Sequence, residues 1–239
     1  MRRDHRPFGL KHALLRAERL YARRFLVPHF DAIGPGWFFV RPWHVQVFGP
    51  CVTAGAYLNV LAAADLKVRI AVWPGAPGQG AIRIGDHCLI SPGVRIGCSC
   101  GVTIGNDCML ANGAYITDSD WHGLYDRVGP GKSAPVMIGD NVWIGDRAVV
   151  CKGVSIGDNS VIGAGAVVVD DVPANVVAAG NPARVVKALD PRERFVTRAD
   201  WFRDAAELFR RMERFDREML RANTWRHWLR YLLSPSRRD

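Results

Sequence analysis

A chain of 239 residues, 49% of them apolar, reads as one domain with appendages. Its net charge of +9 is uneven: residues 1–24 carry +6, residues 190–239 carry +4, and the middle carries −1. The near-neutral body argues against a nucleic-acid groove. No run of about eighteen apolar residues is there to span a membrane, and the basic amino terminus lacks the apolar stretch of a signal peptide.

The amino-terminal segment, residues 1–36, carries Leu10, Ala13, Leu14, Ala17, Leu20, Tyr21 and Phe25 at helical spacing, with Pro28 ending the run. Two uses fit this basic amphipathic helix: packing on the body or across a subunit boundary, and peripheral contact with an anionic membrane. Residues 37–80 then hold weak six-residue units, Val47-Phe-Gly-Pro-Cys-Val and Thr53-Ala-Gly-Ala-Tyr-Leu, with Val68–Trp73 alternating like a strand and a Gly/Pro loop after it. They are expected to be irregular first coils that cap the end of a regular repeat.

From Ile84 to Val172 one hexad repeats: Ile84-Gly-Asp-His-Cys-Leu, Ile104-Gly-Asn-Asp-Cys-Met, Ile138-Gly-Asp-Asn-Val-Trp, Ile156-Gly-Asp-Asn-Ser-Val. Each unit opens on an aliphatic residue and has a small residue fifth, with Gly, Asn and Asp at turn positions that tolerate left-handed backbone. No unit can bury its own apolar face, so stability must come from stacked neighbours, which is the signature of a parallel β-helix. The openers group in threes, 84/90/96, 104/110/116, 138/144/150 and 156/162/168, so each coil has three faces. Two insertions leave from the same corner of successive coils, and the longer one makes residues 117–135 a loop extruded from one edge.

After the repeats, residues 189–239 form a helical extension. Asp190-Pro191-Arg-Glu193 suits an N-cap with Pro in the first turn. Thr197-x-x-Asp200 starts a helix with Trp201, Ala205, Leu208, Met212, Phe215 and Met219 on one face, and Trp225, Trp228 and Leu232 lie on a second helix after Asn223-Thr224. Among the six cysteines, Cys51, Cys88, Cys100 and Cys108 take the small inward position of a unit and read as packing residues. Reduced thiols and a cytoplasmic protein are expected.

The runs Ile138-Gly-Asp-Asn-Val-Trp-Ile-Gly-Asp, Gly153-Val-Ser-Ile-Gly-Asp-Asn-Ser-Val-Ile-Gly-Ala-Gly-Ala-Val, Asp171-Val-Pro and Ala179-Gly-Asn-Pro-Ala-Arg-Val-Val-Lys187 resemble the hexapeptide-repeat acyltransferases, nearest the maltose/galactoside O-acetyltransferase-like branch. The resemblance covers roughly residues 82–188. It implies that the β-helix is left-handed; with the helices read from periodicity, the expected fold is all-β, a left-handed parallel β-helix domain over residues 37–188 with flanking N- and C-terminal α-helices that the resemblance does not cover. It also implies a homotrimer with active sites between subunits, and transfer of an acyl group from acetyl-CoA to a hydroxyl or amine. The expected acceptor is a sugar or glycan precursor.

In that family a histidine at the extruded loop is the general base, and His122 is the only histidine in this loop. A group of near-neutral pKa is what removing a hydroxyl proton beside a thioester needs. Asp118 or Asp120 is the expected orienting acid. Backbone N–H groups at Gly145-Asp146 would meet the oxyanion, and Trp143, Trp121 and Tyr125 are the aromatic candidates for the acceptor. The resemblance runs coenzyme A past Asp146, Ala164 and Gly165 to the Gly180-Asn181-Pro182 loop, with Arg184 and Lys187 for its phosphates. Relatives often have Thr-Lys where this chain has Val169-Asp170. No metal is expected, because the repeats hold only His87 and His122 and a zinc anhydrase site on such a scaffold takes three histidines. The alternative to an enzyme is a non-catalytic trimeric scaffold on the same fold.

Overall fold

The computed structural model describes residues 4–236 except Pro77 and Pro191. Three parallel sheets wind around one apolar core. The first face stacks Ala32–Ile33, Val52–Ala54, Ile82–Ile84, Val102–Ile104, Val136–Ile138 and Ser155–Ile156. The second runs from Phe38–Val40 up to Val161–Ile162 and Val176–Gly180, and Ala183–Ala188 returns antiparallel as its last strand. The third runs from Val45–Phe48 to Val167–Val168. The hexad openers stand in register: Ile84, Ile104, Ile138 and Ile156 on the first face, and Ile96, Ile116, Val150 and Val168 on the third. Residues 37–80 also carry strands in these three sheets.

The repeat has a physical cause at each position. Openers and fifth residues fill the core. Glycine stands second because coils approach there: a Cβ on Gly105 would lie 2.6 Å from the carbonyl carbon of Gly139. Aspartate or asparagine stands third because its side chain accepts from the backbone of the coil before it, as Asp86 does from Ala56 N, Asn106 from Asp86 N, and Asp140 from Asn106 N. The fourth residue takes a left-handed turn, with φ of 55–60° at His87, Asp107, Asn141 and Asn159. Ser160, the polar fifth residue, is buried and satisfied, donating to Pro173 O at 2.7 Å.

The cysteine reading needs correction. Cys88 and Cys108 are buried as expected, but Cys51 is exposed and Cys100 half-buried. The two-residue insertion between Ile96 and Ile104 shifts the register, so Cys98 and Val102 point inward in place of Cys100; in the earlier coil one extra residue between Val47 and Ala54 puts Val52 inward in place of Cys51.

Helix α1 (Phe8–Tyr21) passes through a wider turn, Ala22–Leu26, and a tight one, Val27–His29, that contains Pro28. Its predicted apolar stripe is not the buried side. Ala22, Leu26 and Phe30 close the start of the prism, while Leu14, Leu20 and Phe25 stay exposed.

At the other end Asp190 binds Arg192 within a turn, no helix precedes Thr197, and Pro191 lies outside the described residues. The predicted Thr197–Asp200 capping box starts α2 (Arg198–Phe202). Asp204 then caps α3 (Ala205–Met219), and Thr224 caps α4 (Trp225–Leu233). Only Leu208 of α3 is buried, and Met212, Phe215 and Met219 are exposed. The two ends of the chain meet: Lys11 Nζ lies 2.6 Å from Asp216, and Asn223 Nδ2 donates to Asp4 O and Arg6 O. No helix among the described residues is long and apolar enough to cross a membrane.

Candidate active site

Three edges join the three faces, and the chemistry-bearing residues sit on two of them. Residues 62–67 leave from the edge between second and third faces, and the edge between third and first faces throws out residues 73–81, 99–101 and 118–135. The last is an ordered structure. Asp118, fully buried, accepts from the N–H groups of Ser99 (2.6 Å), Cys100 (2.7 Å) and Gly101 (2.6 Å), and so ties the loop's root to the turn beneath it. Ser119 and Ser133 pair across the stem, and Asp120 N donates to Lys132 O at 3.0 Å. Beyond the stem, Asp126 accepts from Val128 N and Gly129 N, which holds its carboxyl below the usual carboxylate range.

His122 lies where this stem opens to the tip, and it is exposed. Its backbone N–H donates to Asp120 O at 2.8 Å. Neither expected orienting acid contacts the ring. Asp118 is committed to three backbone donors, and Asp120 pairs with Lys152 at 2.7 Å. Trp121, by contrast, folds down onto the third face, its indole Nε1 donating to the Tyr115 hydroxyl at 3.3 Å. Tyr125 is fully exposed at the tip.

The edge between second and third faces holds the other half. Asp146, Ala164 and Gly180 occupy successive coils there, linked by the bond from Gly165 N to Asp146 O at 2.7 Å and by the close approach of Gly163 to Ala179. Gly145 is buried, and its N–H is spent on Ile162 O at 2.8 Å, so it is no oxyanion donor. The sheet ladder claims it because the second-face strand continues one residue past Ile144. Among the described residues, the N–H groups of Asp146 and Ala164 have no such backbone partner. Asn181 and Pro182 form the exposed turn above them. Trp143 projects from the second face between Met109 and Val161, half exposed.

The phosphate candidates differ from one another. Arg184 lies 3.0 Å from Asp170, the residue standing where relatives often have lysine, so part of its charge is answered within the chain. Lys187 stands exposed on the return strand. His87 is a packing residue: its ring stacks on Tyr57 (5.5 Å) and Phe202 (5.6 Å), and its carbonyl accepts from Arg198.

The two half-sites lie one full face apart. Lys152, bonded to Asp120 at one edge, is six residues on from Asp146 at the other, a reach of at most about 20 Å along the chain. What sequence reasoning missed is that Asp118 ties the root of the loop to the turn beneath it. The signal for Asp118 was present, since two insertions at one corner on successive coils must touch.

Two family models match the chain: "Bacterial transferase hexapeptide (six repeats)" over residues 135–170 and "Hexapeptide repeat of succinyl-transferase" over residues 81–118. The galactoside O-acetyltransferase of Escherichia coli is 45% identical over 113 residues, 47% of either chain. A polysialic acid O-acetyltransferase of Escherichia coli is 40% identical over 137 residues, 55% of this chain and 43% of that one. The chain thus spans about half the length of the curated relatives it matches. In fold it is similar to AntD, an N-acyltransferase from Bacillus cereus solved with dTDP and coenzyme A, at a TM-score of 0.54 and 15% identity over 82% of this chain and 96% of that one.

Proposed function

We propose that this chain, whose repeats match hexapeptide transferase models and resemble those of a galactoside O-acetyltransferase, moves an acetyl group from acetyl-CoA to a hydroxyl of a sugar or glycan precursor on a left-handed β-helix. The observation that carries the reading is the division of the predicted site between two edges of one prism. The loop edge supplies a base, the opposite edge supplies unpaired backbone donors, and a neighbouring copy in a homotrimer brings one against the other. The relatives' printed activities support the transfer of acetyl groups.

In this reading the pantetheine arm of coenzyme A lies along Asp146, Ala164 and the Gly180–Pro182 turn, with Lys187 and Arg184 toward its phosphates. His122 accepts the proton of the acceptor hydroxyl as that oxygen attacks the thioester carbonyl. The Asp146 N–H donates to the tetrahedral oxyanion. Collapse expels the thiolate of coenzyme A, which takes the proton back from the imidazolium, leaving the ester and the free thiol. Among the described residues none hydrogen-bonds the His122 ring, so in this reading its tautomer is set by the neighbouring copy or by the bound acceptor.

The test is His122→Ala assayed by thiol release. Turnover should fall by about 10²–10⁴-fold, with coenzyme A affinity and oligomeric state unchanged. Full turnover in the variant would remove His122 from the chemistry. The Asp170–Arg184 pair favours a second reading, a non-catalytic scaffold; that reading requires that no acceptor from a broad panel of sugars, nucleotide sugars and amines release thiol.

A further inference from the structure

The third face carries a built groove that the transfer chemistry above does not use. Its outward positions bring Gln46, Arg69, Arg95 and Tyr115 into register on four successive strands. Arg69 and Arg95 are direct neighbours, both are exposed, and neither has a carboxylate partner among the described residues. Arg69 Nε donates to Gln46 at 3.1 Å, and the Arg95 guanidinium lies over the Tyr115 ring at 4.2 Å. Like charges on adjacent strands repel, and strands lie only about 4.8 Å apart. Among the described residues no carboxylate offsets that repulsion, and Gln46 and Tyr115 answer the two guanidinium groups only as neutral partners.

Beside the arginines the next column is cut down to Ala71 and Gly97, which opens a trench of 510 Å³. Two indoles wall it. Trp73 is half exposed and leans on Phe48 at 4.3 Å. Trp121 comes down from the extruded loop onto Gly97, where a Cβ would stand 3.0 Å from the indole. Two flat indoles, with a pair of guanidinium forks beside the trench they line, suit a ring that carries an anion. Indole faces pack on the C–H face of a pyranose, and guanidinium groups pair with carboxylate or phosphate oxygens.

We propose that this groove binds the acceptor and that the acceptor is an acidic saccharide, its anion on Arg69 and Arg95 and its ring between Trp73 and Trp121. The bound sugar's role as acceptor rests on the acetyl-transfer reading; the groove's preference for acidic sugars does not. Trp121 immediately precedes His122, so a ring held on this indole is delivered next to the base.

Binding to the full chain without coenzyme A separates the two claims. Intrinsic tryptophan fluorescence is titrated with a sialic acid oligomer, a hexose 1-phosphate and a neutral galactose oligomer. The acidic probes should quench saturably and bind at least about tenfold tighter than the neutral one, and the preferred acid tells carboxylate from phosphate. In the Arg69→Gln/Arg95→Gln double variant that preference should vanish, with Arg95→Lys retaining part of it and thermal melts confirming that all variants are folded. Equal affinity for acidic and neutral oligomers, unchanged affinity in the folded double variant, or no saturable binding up to about 10 mM would each overturn the groove. Acidic binding with no thiol release from any acceptor would leave the groove standing and sink only the acetyl-transfer reading.

Discussion

Asp118 shows how much a single side chain organises here. Its buried carboxylate receives three consecutive backbone N–H groups and the Cys98 thiol at 3.3 Å. Each hydrogen bond to a charged group contributes about 2 kcal/mol, so the turn at 98–101 and the root of the extruded loop stand or fall together. Burial first, and then the neighbouring Asp118 charge, pushes the Cys98 thiol up to about 12. An ordinary cysteine ionises near ~8.5. The folded state therefore keeps a proton that the unfolded chain loses. The stability tied to that proton is complete below about pH 8.5 and is lost as pH rises toward 12. At about pH 9, just above the ordinary thiol range, iodoacetamide should modify exposed Cys51 and leave Cys98 untouched until the protein unfolds, read by peptide mass spectrometry. Early labelling of Cys98 would contradict the assignment of its burial and its acidic neighbour. The sequence announced neither feature: Cys98 and Cys100 are both two residues from a possible inward position, and only the packed turn decides between them.

At the scale of an element, the hexad is legible because each of its positions answers a separate constraint. Glycine second is the strictest. Gly105→Ala drives a methyl group into the Gly139 carbonyl, a backbone atom that cannot swing away. Such a clash should cost about 1–3 kcal/mol. Gly9→Ala in α1 meets nothing within 4 Å and should stabilise by about 0.5–1 kcal/mol. Urea denaturation of the pair tests this, and equal shifts would mean that coil spacing does not fix the glycine. The terminal helices were far less legible. Their starts were written in capping residues, Thr197 and Thr224, which act locally. Their buried sides were not, because a stripe at helical spacing says only that something apolar is nearby. No residue of α1 itself is buried, and the residues that reach the core, Ala22 and Leu26, are the two ends of the widened turn that follows it.

For the molecule as a whole, the separation of the two half-sites by one face makes a prediction about assembly. If the site is completed between copies, subunits carrying His122→Ala and subunits carrying Ala164→Trp are each inactive alone but complement when co-expressed. Random mixing in a ring restores about a quarter of the sites, measured as thiol release from purified mixed oligomers. If mixed oligomers of confirmed composition stay inactive, the site is not shared between copies. Ala164 suits this test because it is exposed on the open second edge, so the bulky residue blocks the edge and leaves the core alone.

The six-residue period by itself determined the prism: three faces, the order of the coils, the inward residues of the regular units and the corner from which the loop departs, though not the inward residues beside the insertions, where it misplaced Cys51 and Cys100. It could do so because a β-helix is held by contacts between neighbours at fixed sequence intervals, so the spacing of like residues is already the map of who touches whom. Tertiary structure alone decided which groups remain available for chemistry. Gly145 is consumed by the sheet ladder while Asp146 is not, Asp118 is drawn into the turn below, Asp170 answers Arg184, and two arginines from different coils face one trench between two indoles. Each of those outcomes depends on what a backbone or charged group meets across coils separated by irregular insertions, and no period in the chain records where an insertion comes to rest.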